Sequence, residues 1–567
     1  MKGDITMIIV GINGWIERSH DASACIIVDG KLIAYVEEER FTRQKHAFDC
    51  LPKNSIAYCL QAANVSPNDV DLIAWGWNLP LLHELHGRSF DFSESDLNAI
   101  LFPKKYYPNK TKHIPIEFVD HHFAHAASAY CSRSNDETMA VVVLDGAGED
   151  SAVSIYKGEQ GKLKKMLACN VPFSPGFFYA AACEYIGLSR HHAGKLMGLA
   201  SHGNNPVFFT GDASLISSHL SQMKLEQNYI LDWEEAMIRY WVDVFVKKWG
   251  DKINAPYSFN KMNGSFESNP TFGAREKDIA VSIQLEFEKM YMWYVHTALT
   301  LTGAKQVCLA GGATLNCSAN GMLMERKIAE QVFVHPAAND SGVALGAAVS
   351  MLDVIPVNFF TSPYLGPGFT NDEVRECLIK SGINFTESSD VNFEVSKHLV
   401  QGKIVGYFQG RMEVGPRALG GRSILADPRK IDNHTIVNKI KSRELWRPLA
   451  PAILAEENDD YFILPTHSPY MLFRNFVKAE KTSLIPAVVH IDNSVRPQTV
   501  TSALNKNFYD VLSNFQMLTG VPIVLNTSFN NEREPIVCTP AHALSTFFET
   551  GMDVLAIESF VIKKRSQ

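Results

Sequence analysis

Hydrophobic residues at the start of the chain gather into short runs separated by turn formers. Met7 to Ile12 is an almost unbroken apolar run of strand length, the pattern of a buried strand. Cys25 to Val28 and Leu32 to Val36 flank Asp29–Gly30, and an Asp-Gly pair between apolar runs signals a tight hairpin. The design recurs further on. Ala140 to Leu144 runs into Asp145–Gly146, Ala152 to Tyr156 follows, and a Gly158/Gly161 turn leads to Leu163–Leu167. Two strand–hairpin units of this kind predict a duplicated α/β domain with a nucleotide in the cleft between its halves.

Strands then alternate with helices. Gln306 to Ala310 is a strand that meets Gly311–Gly312, with a helix from about Leu315. Gln331 to Val334 is another strand, and the small residues of Gly342 to Leu352 predict a helix pressed close to the sheet. Residues 355 to 392 carry Pro356, Pro363, Pro367 and Gly368, with one helical stretch from about Asp372 to Ser381, and read as a linker region. A new unit opens near 395 with a helix to Val400 and a strand from Lys403 to Phe408. The expected domains are therefore 1–370 and 395–567.

Composition narrows the class. The 567 residues are 46% hydrophobic and 20% charged, a globular mixture too long for a single ordinary core. A net charge of −8 speaks against a broad nucleic-acid surface. The ten cysteines are scattered with no C-x-x-C pair, so neither a zinc ribbon nor a disulfide framework is expected, and a reducing cytoplasm is. The opening Met1-Lys2-Gly3-Asp4 makes a poor signal peptide. The longest apolar stretch, Gly342 to Leu352, is too short to span a bilayer.

Two constellations carry chemistry. His121 and His125 are four residues apart, so on a helix they share a face; His122 points elsewhere and suits a structural place. Asp145 ends an apolar strand, where α/β sheets place ligands, and Asp340 sits at a strand-to-helix turn. Two imidazoles and two carboxylates suit Fe(II), Mn(II) or Zn(II), although Asp340 also reads as a plain helix cap. No glutamate follows the first histidine as a metalloprotease motif requires. Gly311–Gly312 open a helix after a strand, an approach point for phosphate. Lys195 stands among glycines in Ala193–Gly198 and reads equally as an exposed lysine. His20-Asp21-Ala22-Ser23 is a polar cluster that either lines the cleft or caps a turn.

The second constellation is cationic. Residues 411 to 447 hold nine basic groups against four acids, among them Arg417, Lys441, Arg443 and Arg447. Arginines among glycines and prolines, as in Gly415-Pro416-Arg417, predict a phosphate pocket. Arg496 and the stretch Leu525 to Asn530, with Asn526 and Ser528, are candidates for the same wall.

These motifs carry a resemblance. His20-Asp21-Ala22-Ser23-Ala24, Glu38 to Arg43, Asp120-His121-His122-x-x-His125, Ala193 to Gly198, Gly311-Gly312-Ala313 with Asn316, Asp340-Ser341-Gly342, Gly415 to Gly420, Lys441-x-Arg443-Glu444-x-x-Arg447-Pro448 and Asn526 to Asn530 run in order along nearly the whole chain. Together they resemble the O-carbamoyltransferase family of the nodulation protein NodU and the cephalosporin- and tobramycin-pathway carbamoyltransferases. The resemblance implies an N-terminal ATPase domain of the actin/sugar-kinase fold and a C-terminal domain like YrdC, a twisted α/β sheet around a basic cavity. It implies that carbamoyl phosphate and ATP, with Mg²⁺, give carbamoyl adenylate in the C-terminal domain. The N-terminal domain then carbamoylates an acceptor hydroxyl with the help of a metal such as Fe(II).

In these terms Arg417, Lys441 and Arg447 are expected to be catalytic at the adenylating site, with Arg443, Arg496, Asn526 and Ser528 in binding roles. Lys195, Gly311, Gly312 and Asn316 are expected on the nucleotide side of the N-terminal site, and His20 is the candidate general base. A small-molecule acceptor is expected, of antibiotic-sugar, aminocyclitol or polyketide type. The chain opens directly on the first strand, which sets it apart in expectation from hydrogenase-maturation carbamoyltransferases with their leading segments. The rival readings are a fused tRNA threonylcarbamoyl-adenosine synthase, which needs a basic tRNA surface, and a regulatory nucleotide-binding protein, which has no use for the cationic pocket. The aromatic-rich segments 78–112 and 204–275 are candidates for acceptor recognition or for contacts in a homodimer.

Overall fold

The computed structural model describes residues 7–171, 174–206, 233–253, 259–260, 265–266 and 272–564. By contact the chain divides into two compact units. The first takes the described residues of 1–258, 272–319 and 326–361, the second those of 259–271, 320–325 and 362–567.

Two five-stranded sheets build the first unit. β1 (Ile8–Asn13), β2 (Ser23–Val28), β3 (Lys31–Glu37), β4 (Leu72–Trp75) and β5 (Ile116–Phe118) lie in the order β3-β2-β1-β4-β5. The β1–β2–β3 meander is antiparallel, and β4 and β5 add in parallel. The second sheet repeats this plan. β6 (Met139–Leu144), β7 (Ser151–Glu159) and β8 (Lys162–Asn170) form the meander, and the strands Gln306–Ala310 and Gln331–Val334 add in parallel. The duplicated α/β domain expected from the recurring hairpins is therefore present strand for strand.

The first hairpin turns on Asp29 and Gly30, both at positive φ (49° and 70°), as a primed two-residue turn requires. The second turns on Gln160 and Gly161 (51° and 71°) rather than on the expected Gly158. That residue lies inside β7, where a Cβ would come within 2.4 Å of the Tyr130 ring.

The small-residue helix is Val343–Val349, wholly buried, after a short 3₁₀ turn at Asp340–Gly342. A Cβ on Gly346 would stand 1.7 Å from the Ala124 carbonyl oxygen. This closeness presses the helix onto His121–Tyr130 and sets Asp340, at its head, beside the two histidines.

The second unit is an eight-stranded mixed sheet. Its order is Thr386–Glu387, Phe560–Lys563, Val554–Ile557, Val405–Phe408, Arg422–Ala426, Ile523–Ser528, Ala450–Leu454, Gln498–Val500, a twisted α/β sheet of the class the resemblance implied. Its core includes Val405, Phe408, Leu425, Leu512, Val524 and Leu555. The contact boundary falls between Thr361 and Ser362, not at 370–395. The helix Asn371–Lys380, read as part of a linker, buries Val374 and Leu378 in this core. Thr386–Glu387 pairs with Phe560–Val561. Prolines between 356 and 367 made a helix expected from about Asp372 look like part of a linker, whereas it packs in the second core. No helix among the described residues is long and apolar enough to cross a membrane.

Candidate metal centre and anion site

Asp120 caps the helix His121–Tyr130 by accepting the Phe123 N–H at 2.7 Å. The i, i+4 spacing then turns both imidazoles to one face, and both are wholly buried. Asp145 follows β6 and Asp340 heads the Val343–Val349 helix. His121 Nε2 lies 3.5 Å from Asp145 Oδ2 and 3.8 Å from Asp340 Oδ1, and His125 Nε2 lies 3.7 and 3.5 Å from the same atoms. These gaps are long for hydrogen bonds. Neither Nε2 has a hydrogen-bond partner among the described residues.

Donors about 2.1 Å from a shared ion stand roughly 3.4 Å apart at a tetrahedral angle. The quartet, with one ligand atom from each residue lying within 4.8 Å of the others, therefore fits a divalent ion in donor type, spacing and orphaned nitrogens. The His121 Nδ1 lies 3.1 Å from the Gly76 carbonyl. A carbonyl only accepts, so Nδ1 carries the hydrogen and Nε2 offers its lone pair.

Electrostatics agree with an ion's place. Burial alone would lower the His121 pKa, but Asp340 and Asp145 outweigh it and raise it to about 9. Burial alone would raise the Asp145 carboxyl, yet His121 and His125 hold it well below the usual carboxylate range. In the ion-free site protons on imidazole thus supply the positive charge that the carboxylates demand. His122 faces away, with Nδ1 2.9 Å from Ser154 Oγ, and burial lowers its pKa to about 3.

His20 lies at the edge of this centre with its side chain 45% exposed. Its Nδ1 is 3.1 Å from Asp21 Oδ2 and 3.8 Å from Asp340 Oδ2. Loss of water opposes its charge, but Asp340 and Asp21 outweigh that and raise its pKa to about 10. Asp21 Oδ1 lies 2.9 Å from His46 Nδ1, and both residues hold positive φ (53° and 66°). Asp21, Glu39 and His46 form a second group of ion-ligating types. In this group the polar atoms pair with one another and with Arg40.

Gly311 and Gly312 also reach the centre. The Gly312 N–H donates to Asp145 Oδ1 at 3.0 Å, and Gly311 sits at φ 90° with the Leu144 carbonyl oxygen 2.3 Å from where a Cβ would be. Lys195 is buried on the helix Ala193–Ala200, so it is not an exposed lysine. Asn316 is turned inward. Its amide pairs with Gln284 at 3.1 Å in both directions, and its oxygen accepts the Ala319 N–H. It is placed as a helix cap behind the glycine turn.

In the second unit, the loop Gly415–Gly420 is pinned from several sides. Buried Glu413 accepts N–H bonds from Leu419 (2.6 Å), Gly421 (3.1 Å) and Arg422 (3.2 Å). Asn526 donates to the Ala418 carbonyl at 3.2 Å and to Gln498 at 2.8 Å, while Gln498 and Tyr364 donate to the Leu419 carbonyl. The loop thus presents Arg417 from a rigid base.

Arg443 is half-buried, with its Nε bonded to Asn438 Oδ1 at 2.6 Å. Burial and the neighbouring Arg447 push its pKa well below the usual range, Arg496 adding to the effect and Glu444 and Glu532 opposing it. Arg443 thus stands near two like charges, while Arg447 itself lies 3.8 Å from both Glu444 and Glu532. Lys441 is clamped instead, its ammonium bonding Ser528 Oγ and the carbonyls of Ser528 and Asn530; it fixes the wall that Ser528 forms.

The tally of nine basic groups overstated the pocket. Arg422 is fully buried, stacked on Phe408 and bonded to the carbonyls of Gln409, Gly410, Gly421 and Pro367. Arg429 forks onto Asp427. Sequence reasoning also missed Glu149, Trp77 and Glu413, whose contacts run to backbone or to distant residues. An acid four places after Asp145 was the only available signal for Glu149. Within 78–112, Phe90 and Phe92 pack on Trp15, and Phe102 lies in the first-unit core. Much of 204–275 lies outside the described residues; its helix Trp233–Trp249 buries Trp241 and Phe245 against Phe178.

Comparison with known proteins adds lineage. Residues 9–349 match the family model described as Carbamoyltransferase N-terminus, and residues 396–564 match Carbamoyltransferase C-terminus. The chain is 36% identical to the uncharacterized protein sll1178 of Synechocystis sp., over 99% of this chain and 97% of that one. It is 34% identical to the nodulation protein NolNO of Sinorhizobium fredii, over 96% of this chain and 79% of that one. It is also 28% identical to nodulation protein U of the same species, over 91% and 93%.

Proposed function

This chain belongs to the carbamoyltransferase family, and from that premise we propose how its two sites divide a two-step reaction. In the second unit carbamoyl phosphate supplies the carbamoyl unit and ATP the adenylyl unit. Water displaces phosphate from carbamoyl phosphate to leave carbamate, whose oxygen attacks the α-phosphorus of ATP; carbamoyl adenylate forms as the bond to pyrophosphate breaks. In the first unit the oxygen of an acceptor hydroxyl attacks the carbamoyl carbon, the C–O bond to AMP breaks, and the hydroxyl proton is taken up by the protein. The observation that carries the reading is the buried His121–His125–Asp145–Asp340 quartet with its two orphaned nitrogens.

Each step draws on placed residues. Arg443, Arg447 and Arg496, with Arg417 on its pinned loop, offset the negative charge of two phosphorylated substrates as they react. Lys441 holds Ser528 and Asn530 as one wall of that pocket. Mg²⁺ accompanies ATP there.

In the first unit His20 keeps Nδ1 against Asp21; with an ion at the quartet offsetting the Asp340 carboxylate that raises its pKa, the ring would be neutral and Nε2 would take the acceptor's proton. His121, His125, Asp145 and Asp340 would hold a divalent first-row ion, Fe(II) among the candidates, which when bound supplies Lewis acidity to the carbamoyl oxygen or the phosphate. Positive charge there also offsets the Asp340 carboxylate that raises His20. Gly312, whose N–H reaches Asp145, marks the side from which the adenylate would approach.

The acceptor is read as a small-molecule hydroxyl rather than tRNA, because a net charge of −8 offers no broad basic face. Ten free cysteines suit a reducing cytoplasm.

The test is a product assay with ATP, Mg²⁺ and carbamoyl phosphate but no acceptor, each substrate omitted in turn. Carbamoyl adenylate and pyrophosphate that depend on both substrates, and vanish in Arg417→Ala, are expected. Their absence from folded wild-type protein would overturn the reading.

A further inference from the structure

We propose that Trp77 and Glu149 are positioning residues for the histidine–aspartate centre, holding the His121 imidazole so that its Nε2 faces Asp145 and Asp340. The proposal rests on the metal reading above and adds residues to which that reading gives no role.

His121 is braced at three points. Its ring stacks on the Trp77 indole with centroids 3.7 Å apart and planes 25° apart. Its Nδ1 donates to the Gly76 carbonyl at 3.1 Å. Its backbone N–H donates to both oxygens of Glu149, at 3.2 and 3.1 Å. Glu149 is itself buried and also accepts the Asn78 N–H at 2.7 Å. One carboxylate therefore ties the start of the His121 helix to the segment that carries Gly76 and Trp77.

That segment has little freedom. Gly76 follows β4 and donates to the Ile12 carbonyl at 3.0 Å. A Cβ on it would lie 2.0 Å from Val343 Cγ1, so the chain at 76 is pressed onto the helix that Asp340 heads. The carbonyl that fixes one ligand and the helix that brings another are thus packed against each other. A carboxylate at the first turn of the His121 helix also meets the positive end of its dipole.

His125 shows what bracing changes. Neither of its ring nitrogens has a hydrogen-bond partner among the described residues, and its place follows from the helix alone. If the first turn of that helix shifts, both ligands shift. Ligating histidines commonly donate the other ring N–H to a fixed acceptor, and loss of such support costs about 10- to 100-fold in metal affinity. Here His121 has that support and a stacked roof besides, while His125 depends on the same helix start.

The experiment is a Co(II) titration of chelator-stripped full-length protein against a chromophoric competitor, with the ligand-field spectrum of the bound ion recorded. Trp77→Ala and Glu149→Gln are expected to weaken Co(II) binding about 10- to 100-fold and to alter the spectrum. Trp77→Phe, which keeps a stacking ring, is expected to stay close to wild type in both. Thermal melting of the ion-free proteins separates this effect from unfolding; should Trp77→Ala fail to fold, Glu149→Gln decides. Wild-type affinity and an unchanged spectrum in the folded variants would overturn the positioning role and leave the metal reading standing. A wild-type protein that takes up no Co(II) would remove the metal reading, and the proposal with it.

Discussion

The two charged sites treat their polar atoms in opposite ways. In the first unit the Nε2 atoms of His121 and His125 are buried with no hydrogen-bond partner among the described residues and face two carboxylates. In the second unit much of the apparent cationic charge is already answered: Arg422 by four carbonyls, Arg429 by Asp427, Lys441 by Ser528 and Asn530. Arg447 lies 3.8 Å from both Glu444 and Glu532, and what remains is a half-buried Arg443 pressed by Arg447 and Arg496. Charge in a motif is therefore a weak guide to a ligand site until its partners in the fold are known. Where the fold answers it, the same residue type is scaffold.

That contrast can be broken most sharply at the quartet. His125→Ala or Asp145→Ala should abolish stoichiometric binding of a divalent ion and, with it, transfer to any acceptor, as metal analysis after dialysis would reveal. Arg443→Met should cost on the order of 10²–10³-fold in the rate of adenylate formation. Its thermal midpoint should hold steady or rise, because a cation crowded by Arg447 and Arg496 is removed.

Arg422→Met should do the reverse. It strips four carbonyls of their donor and should cost on the order of 3 kcal/mol in denaturant unfolding, while the KM for ATP in whatever folds stays unchanged. An Arg422 variant that loses ATP affinity without losing stability would break the distinction between answered and unanswered charge.

A smaller effect comes from pH. In the ion-free site His121 has a pKa raised from its ordinary 6.5 to about 9. Its contribution to stability is full below about 6.5 and is lost as pH rises through about 9. The ion-free protein should thus melt at lower temperature across that window. Ion binding displaces the same proton, so affinity should rise by up to about tenfold per pH unit below 9 and flatten above it. Equilibrium dialysis at several pH values checks the sign.

Much of this arrangement was legible in the sequence because it rests on short-range pattern. The Asp29–Gly30 hairpin, the i, i+4 histidines and an acid at the end of an apolar strand each follow from local periodicity, and the strand pairing gives the duplicated sheets. What could not be read was burial and partnership. Arg422 and Arg417 look alike in a charge count, yet one is sealed on Phe408 and the other is borne on a loop. Glu413 counted as an acid against the pocket but is the anchor of that loop. Glu149 and Trp77 act through backbone and stacking contacts with residues 28 or more positions away, distances over which sequence pattern is silent. The helix Asn371–Lys380 is legible from its period, but the prolines before it placed it in a linker, although its apolar face belongs to the second core.

The central claim, that one unit activates and the other transfers, is tested most directly by comparing His125→Ala with Arg443→Met in a single assay. Each would be given ATP, Mg²⁺ and carbamoyl phosphate, and carbamoyl adenylate and pyrophosphate would be followed by mass spectrometry. The account predicts that His125→Ala forms both at the wild-type rate and that Arg443→Met forms both on the order of 10²–10³-fold more slowly. Adenylate lost in His125→Ala and kept in Arg443→Met would contradict it.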